Sequence, residues 1–480
     1  MTLKDDANTV AQALEAYNKR GLNREGVALC QPPSSQLIQS MDLHRLAREG
    51  GLTGAALKTF VDAYLDGTIK LRDPRVMGHQ TAHTNDAAAL GAFIDGYASN
   101  PMAINEMGPA GNAIEQFYLD WMLQKIGWST DRSQLGHAGG VLTHGGSLAN
   151  LTALCAARSA ADPNAWMSGP SGNLVLLVPP ASHYSLARAA GILGLGENAI
   201  LDSPVDPFGR IIPSELATLI ETQRSAGKVI MAVIANACQT AAGLFDPLRD
   251  IAEVCRDSGV WLHVDGAHGA AATLSPDLAD LVDGIDQADS IIWDSHKMLR
   301  TPCLCAAVLV RDHRHLDAAF NQEASYIFHE KENSGFDFLG RTVECTKSAL
   351  ALKAFMALAY EGEVGLCHYI EALVARTIEA AELVAAEPDF EIAVRPEFNI
   401  LCFRLTQGDE TCSLELRKRL LARGRYYTTY VEFLGQSWIR LTIMQAETNM
   451  DDIRGLLEEI RLVAGQVSGQ TSKQTLGQGA

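Results

Sequence analysis

Asp289-Ser-Ile-Ile-Trp-Asp-Ser-His-Lys297 is a short apolar run that ends in a lysine, and the segments upstream of it repeat that form. Val260-Trp-Leu-His-Val264 is followed by Asp265, Lys228-Val-Ile-Met-Ala-Val-Ile-Ala235 by Asn236 to Thr240, and Asn173-Leu-Val-Leu-Leu-Val-Pro179 by Ser182-His183-Tyr184. Each run is bounded by polar, glycine or proline residues. Helical patterns fill the gaps, as at Pro213–Ser225 and Pro247–Ser258. Continuous apolar strands alternating with helices predict an α/β fold, with a mainly parallel sheet covered on both faces.

In such a sheet, ligands bind beyond the carboxyl ends of the strands. The four runs bring His183, Thr240, Asp265 and Lys297 to their exits. A lysine there has no structural reason, because an ammonium in a low-dielectric site costs several kcal/mol unless neutralised or paired. Condensation with an aldehyde cofactor removes that cost and turns the amine into chemistry. With an aspartate at another exit to hold a protonated ring nitrogen, the pair points to pyridoxal 5'-phosphate (PLP). Thr143-His-Gly-Gly-Ser147, ahead of the helical run Leu148–Ala161, supplies a phosphate anchor. Glycines let the backbone approach an anion, and N–H groups at a helix start receive it. The motif is neither GxGxxG nor GxxxxGK[ST], which argues against a nucleotide.

Composition bounds the partners and the organisation. The 480 residues exceed one compact core and fit a large domain with smaller ones. A net charge of −18 with no basic stripe argues against nucleic acid. No apolar run approaches the roughly 20 residues that span a bilayer. The start, Met-Thr-Leu-Lys-Asp-Asp, lacks a signal pattern. Ten cysteines are scattered, several inside apolar runs (Cys155, Cys255, Cys402), as in a reducing, cytoplasmic setting. Cys303 and Cys305 read as packing residues.

Residues 1–85 are helical and irregular, with amphipathic stretches at Asn8–Arg20 and Leu37–Leu65. This segment has no core of its own, and packing on the partner subunit of a homodimer would bury its apolar faces. Residues 86–350 carry the sheet. Residues 351–465 form a smaller C-terminal α+β domain. Its expected helices are Ser348–Ala359, Gly365–Ala386 and Asp451–Ala464, and its strands Phe390–Val394, Ile400–Leu405 and Trp438–Ile443. Residues 466–480, rich in Gly, Ser, Gln and Thr, read as a flexible tail.

Gly145-Gly-Ser-Leu-Ala-Asn150, His183-Tyr184, Gly243-Leu-Phe-Asp-Pro247, His263-Val-Asp-Gly-Ala267 and Asp294-Ser-His-Lys297 occur in that order. Through them the chain resembles the group II PLP-dependent amino-acid decarboxylases, from about residue 70 to the final helix. The resemblance implies PLP fold type I (aspartate aminotransferase-like) and a homodimer with the active site at its interface. It implies that Lys297 carries the cofactor as a Schiff base and that Asp265 partners the ring nitrogen. At an effective dielectric near 20, such an ion pair is worth roughly 4 kcal/mol at about 4 Å. That would hold the ring protonated by about three pKa units. His183 is then the imidazole on one ring face, with Ala267 against the other. Thr240 contacts the cofactor near its phenolic oxygen or the carboxylate anchor, and Gly146, Ser147 and His296 hold the phosphate. Tyr326 resembles the proton donor to the substrate carbon, which favours simple decarboxylation over oxidative deamination. Glu330–Gly335 fits a lid that excludes water, with Arg341 ordering it. Arg440, a bidentate fork, is a candidate for the substrate α-carboxylate or for an interdomain salt bridge.

Met77-Gly-His79-Gln80-Thr81-Ala-His83 matches the family's substrate strip. Imidazoles, an amide and a hydroxyl suit a side-chain carboxylate or sulfinate better than an indole or phenol. His79, Gln80 and Thr81 therefore imply a small polar or acidic amino acid: aspartate, glutamate or cysteine sulfinate. The alternatives are 2,4-diaminobutyrate, an aromatic amino acid, or another PLP reaction such as transamination or carbon–sulfur lysis. Two positions depart from the family pattern. Asp294 stands where many members have asparagine, and an anion beside a phosphate is unfavourable unless it points away. His268 follows Ala267 where an aromatic residue is common. His263, Asp265 and His268 also offer a metal cluster, but Asp265 is better used by the cofactor, and no metal is expected.

Overall fold

A computed structural model describes residues 2–320, 336–406 and 412–476, the side chains of 412–413 and 466–476 excepted. Two compact units divide the chain, Gln80–Ala372 and Met1–His79 with Leu373–Ala480.

The larger unit is built on strands β1 (Gly139–Thr143), β2 (Leu174–Val178), β3 (Ile200–Asp202), β4 (Val229–Asn236), β5 (Leu262–Asp265), β6 (Ser290–Asp294) and β7 (Ala306–Val310). Apart from Val229 and the short edge strand β3, every strand residue is buried. That burial is why these strands read as unbroken apolar runs instead of alternating ones. Their order across the sheet is β1-β7-β6-β5-β4-β2-β3. The strands from β3 to β6 pair in parallel, while β7 runs against both β6 and β1. Two reversals restore direction, so β1 ends on the same rim as β6. Register sets Asn236, Asp265 and Ile292 level across the centre.

The helix Gly146–Ala161 lies on this sheet, packed against β4, β6 and β7. Its buried face is Ala149, Asn150, Thr152, Ala153, Leu154, Cys155, Ala156 and Ala157. Small side chains let it approach the strands closely, which brings the one amide among them to the rim. The helix Asp86–Ala98 buries Ala88 and Gly91 but exposes Leu90, Phe93, Ile94 and Tyr97. Those four follow helical spacing and form one apolar stripe.

The smaller unit joins both ends of the chain. An antiparallel sheet of β8 (Phe390–Ile392), β9 (Ile400–Leu405), β10 (Thr429–Phe433) and β11 (Gln436–Thr442) has the order β10-β11-β9-β8. Helix Leu3–Leu22 opens with a capping box between Thr2 and Asp5. Arg24 grips Asp452 with two bonds of 2.6 and 2.8 Å. Met77 N–H donates to Tyr427 O and Thr442 N–H to Met77 O, each at 2.8 Å. Residues up to 79 are thus stitched to the C-terminal segment of the same chain.

The sequence pattern predicts boundaries at 85 and 350, and the units divide at 79/80 and 372/373. One physical reason is that the helical stretch Leu350–Ala386 crosses the second boundary. It is broken at Gly362 (φ 67, ψ 168), between the two expected helices. The last helix runs Met450–Leu476, beyond the expected end at 464. No helix among the described residues is long and apolar enough to cross a membrane.

Candidate active site

A cavity of about 290 Å³ opens at the rim where β6, β5, β4 and β2 end. Neighbouring exits deliver Lys297, Asp265, Thr240 and His183 in the order of the strands. Gly146 and Ser147 line it from the helix that follows β1, and Gln80, Ala267 and His296 complete the predicted set there. Thr81 is not among its lining residues. His79 and Arg440 belong to the smaller unit, where Arg440 Nη1 donates to Gly78 O at 3.3 Å. There burial and the nearby guanidiniums of Arg440 and Arg417 lower the pKa of His79. Tyr326 and Glu330–Gly335 lie outside the described residues. Arg341 pairs with Asp317 at 2.6 Å and lies over the Phe336 ring.

Asp265, the last residue of β5, is buried, and its two oxygens have separate donors. Oδ1 accepts from Ala267 N–H at 3.3 Å and Oδ2 from Asn150 Nδ2 at 3.1 Å. Asn150 Nδ2 also donates to Ser185 Oγ at 2.9 Å, and Ser185 Oγ lies 2.8 Å from His183 Nδ1. On its other side, Asn150 Oδ1 is 2.9 Å from His263 Nε2. His263 Nδ1 is 2.8 Å from Ser290 Oγ, which accepts from Trp261 Nε1 at 2.9 Å. Both nitrogens of His263 are therefore occupied within a hydrogen-bonded chain, not turned with Asp265 toward a common metal position. Burial pushes the pKa of His263 down to about 4 and also lowers that of His183.

Lys297 sits three residues past β6, with Nζ 3.4 Å from Asp294 Oδ2. His296 Nδ1 is 2.8 Å from Cys305 O, and its Nε2 is 3.6 Å from the same Asp294 oxygen. Asp294 does not point away from the anchor. Its carboxylate lines the cavity, and a Cβ on Gly146 would fall 2.9 and 3.0 Å from its oxygens. The helix start itself depends on Gly145, whose φ of 102° and ψ of 160° exclude ordinary side chains. First-turn N–H groups of the helix have no intrahelical acceptor, so this end suits an anion.

These groups fit pyridoxal phosphate: an amine for the aldehyde, a buried carboxylate for a protonated ring nitrogen, and a glycine-opened helix for the phosphate. Sequence reasoning missed Asn150, Ser185 and Ser290, and it considered His263 only as a metal ligand. The available signal was polarity out of place, an amide on an alanine face and an imidazole inside an apolar strand.

An α/β sheet of this topology, with that set at its carboxyl rim, defines the fold type I class of PLP enzymes. The pyridoxal-dependent decarboxylase conserved domain matches residues 65–406. Mouse acidic amino acid decarboxylase GADL1 is 28% identical over 457 residues, covering 91% of this chain and 81% of its own. Rat cysteine sulfinic acid decarboxylase is 31% identical over 346 residues, covering 71% of this chain and 69% of its own. The crystal structure of mouse CSAD has a TM-score of 0.87 at 25% identity, covering 96% of this chain and 98% of that one. The chain belongs to the pyridoxal-dependent decarboxylase family. It is a PLP-dependent amino-acid decarboxylase, and PLP is its cofactor.

Proposed function

We propose that this enzyme removes the α-carboxylate of a small acidic amino acid, releasing CO2 and the corresponding amine. The observation that carries the reading is the convergence of Lys297, Asp265, Thr240 and His183 from adjacent strand exits on one cavity. Bound PLP supplies an electron sink for the pair left when the bond from Cα to the carboxylate breaks. Lys297 is the covalent anchor. Asp265 holds positive charge at the ring nitrogen, which deepens the sink. His183, Ala267 and Thr240 line the same cavity and would hold the ring there. Gly146, Ser147 and His296 hold the phosphate. Tyr326 gives its phenolic proton to Cα, so that the product leaves as an amine and not as a carbonyl compound.

An acidic side chain is supported by the polar amide of Gln80, which lines the cavity, and by the names of the relatives, which act on acidic amino acids and cysteine sulfinate. The exposed stripe Leu90, Phe93, Ile94 and Tyr97 supports a homodimer. The buried thiols of Cys155, Cys255, Cys305 and Cys402, whose pKa values burial raises to about 11 or 12, suit a reducing, cytoplasmic setting.

The test is CO2 release from aspartate, glutamate, cysteine sulfinate, 2,4-diaminobutyrate and tyrosine, with Lys297→Ala as the blank. Turnover of one of the first three at least tenfold above the others, lost in the variant, is expected. Preference for tyrosine or diaminobutyrate would overturn the substrate class, and undiminished activity in Lys297→Ala would overturn the site.

A further inference from the structure

The hydrogen bonds around Asn150 have directions that follow from a single charge. An ionised carboxylate only accepts, so the Asn150 amide must turn its Nδ2 toward Asp265 and its Oδ1 toward His263. His263 must then carry its proton on Nε2, which leaves Nδ1 to accept from the Ser290 hydroxyl. Trp261 Nε1–H donates to a lone pair of Ser290 Oγ, and the hydroxyl proton is left for His263 Nδ1. On the other branch, Asn150 donates to Ser185 Oγ, so that hydroxyl donates onward to His183 Nδ1. Ser185 N–H reaches the same nitrogen at 3.3 Å. His183 Nδ1 is therefore an acceptor, and its proton sits on Nε2.

Once both histidines are neutral, the Asn150 amide, the Ser185 and Ser290 hydroxyls and both nitrogens of His263 all have partners. Asn150, Ser185, His263 and Ser290 are each at most 2% exposed, so water cannot substitute for a lost partner. The other charged or titratable groups gathered around Asp265 and His183 are Lys297, Asp294, His268 and Arg188. The Asn150 amide is a side-chain donor to Asp265, at 3.1 Å.

We propose that Asn150 and His263 are positioning residues of the cofactor site. His263 fixes the orientation of the Asn150 amide, and that amide keeps Asp265 ionised while setting which nitrogen of His183 bears its proton. This rests on the assignment of Asp265 and His183 to the cofactor ring. Truncating Asn150 removes a side-chain donor to a buried carboxylate, favours its protonated form and withdraws positive charge from the ring.

The holoenzyme variants Asn150→Ala, His263→Gln and His263→Asn test it. Glutamine can extend an N–H to Asn150 Oδ1, whereas asparagine is too short. Three quantities are measured: the pH midpoint of the bound cofactor's visible absorbance, its dissociation constant from reconstituted apoenzyme, and the thermal midpoint. Asn150→Ala should raise the absorbance midpoint by about one pH unit and weaken cofactor binding about tenfold. His263→Asn should do the same in smaller measure, and His263→Gln should restore wild-type values. The proposal is overturned if Asn150→Ala and His263→Asn lower only the thermal midpoint, or if His263→Gln and His263→Asn behave alike. Should Asn150→Ala fail to fold, the His263 pair decides. A wild-type enzyme with no cofactor trapped on Lys297 by borohydride would instead refute the underlying site assignment.

Discussion

A carboxylate at position 294 lines the cavity beside the helix start proposed to hold the phosphate. Asp294 faces the helix start across the missing side chain of Gly146, close to Lys297 and His296. Its Oδ1 is buried without a hydrogen bond among the described residues. Removing the charge while keeping the shape should help an incoming dianion. Asp294→Asn is predicted to tighten cofactor binding about tenfold, or roughly 1.4 kcal/mol, measured by titrating apoenzyme. Weaker binding would mean that the carboxylate chiefly orients Lys297 and His296. At this scale Lys297 and Asp265 were legible in sequence, because a charge at the end of an apolar run violates ordinary burial. Asn150 was not. Its partner His263 is 113 positions away, and no local pattern links an amide in one element to an imidazole in another.

The helix Gly146–Ala161 is the element through which strand order becomes chemistry. Its first turn faces the anion site and its second position of burial, Asn150, reaches the rim of β5. Gly146→Ala would drive a methyl group onto the Asp294 carboxylate. Cofactor retention is expected to fall at least tenfold, with far-ultraviolet circular dichroism unchanged; retention at the wild-type level would remove the helix start from the phosphate site. The strands with continuous branched side chains were readable, and β2, β4, β5 and β6 fall within two residues of their expected ranges. Four others were not. β1 opens with Gly139-Gly140 and β7 with Ala306-Ala307, residue types with weak strand preference. β3 spans three residues, and β10 lies at a sheet edge where partial exposure breaks the apolar run.

For the whole molecule, the exposed stripe on Asp86–Ala98 offers a direct test of assembly. Leu90, Phe93, Ile94 and Tyr97 are 57, 50, 47 and 71% exposed in the single chain. Replacing Phe93 and Ile94 together by glutamate should halve the mass measured by light scattering and lower activity more than tenfold, as expected when two charges meet an apolar interface. An unchanged mass would place the interface elsewhere. The sequence led to the expectation that residues 1–85 pack on a partner subunit; it did not reveal that Met77 pairs with Tyr427 and Thr442, which come only after the chain has returned. That return has a temporal cost on the ribosome. Residues 1–79 emerge first, yet the strands that complete their unit follow Ala372. At roughly 5–20 residues per second, the early segment waits about 15–60 s for its mate. Nascent chains of this enzyme therefore carry amphipathic helices ahead of the strands that complete their unit through most of translation, a window in which chaperone capture competes with aggregation.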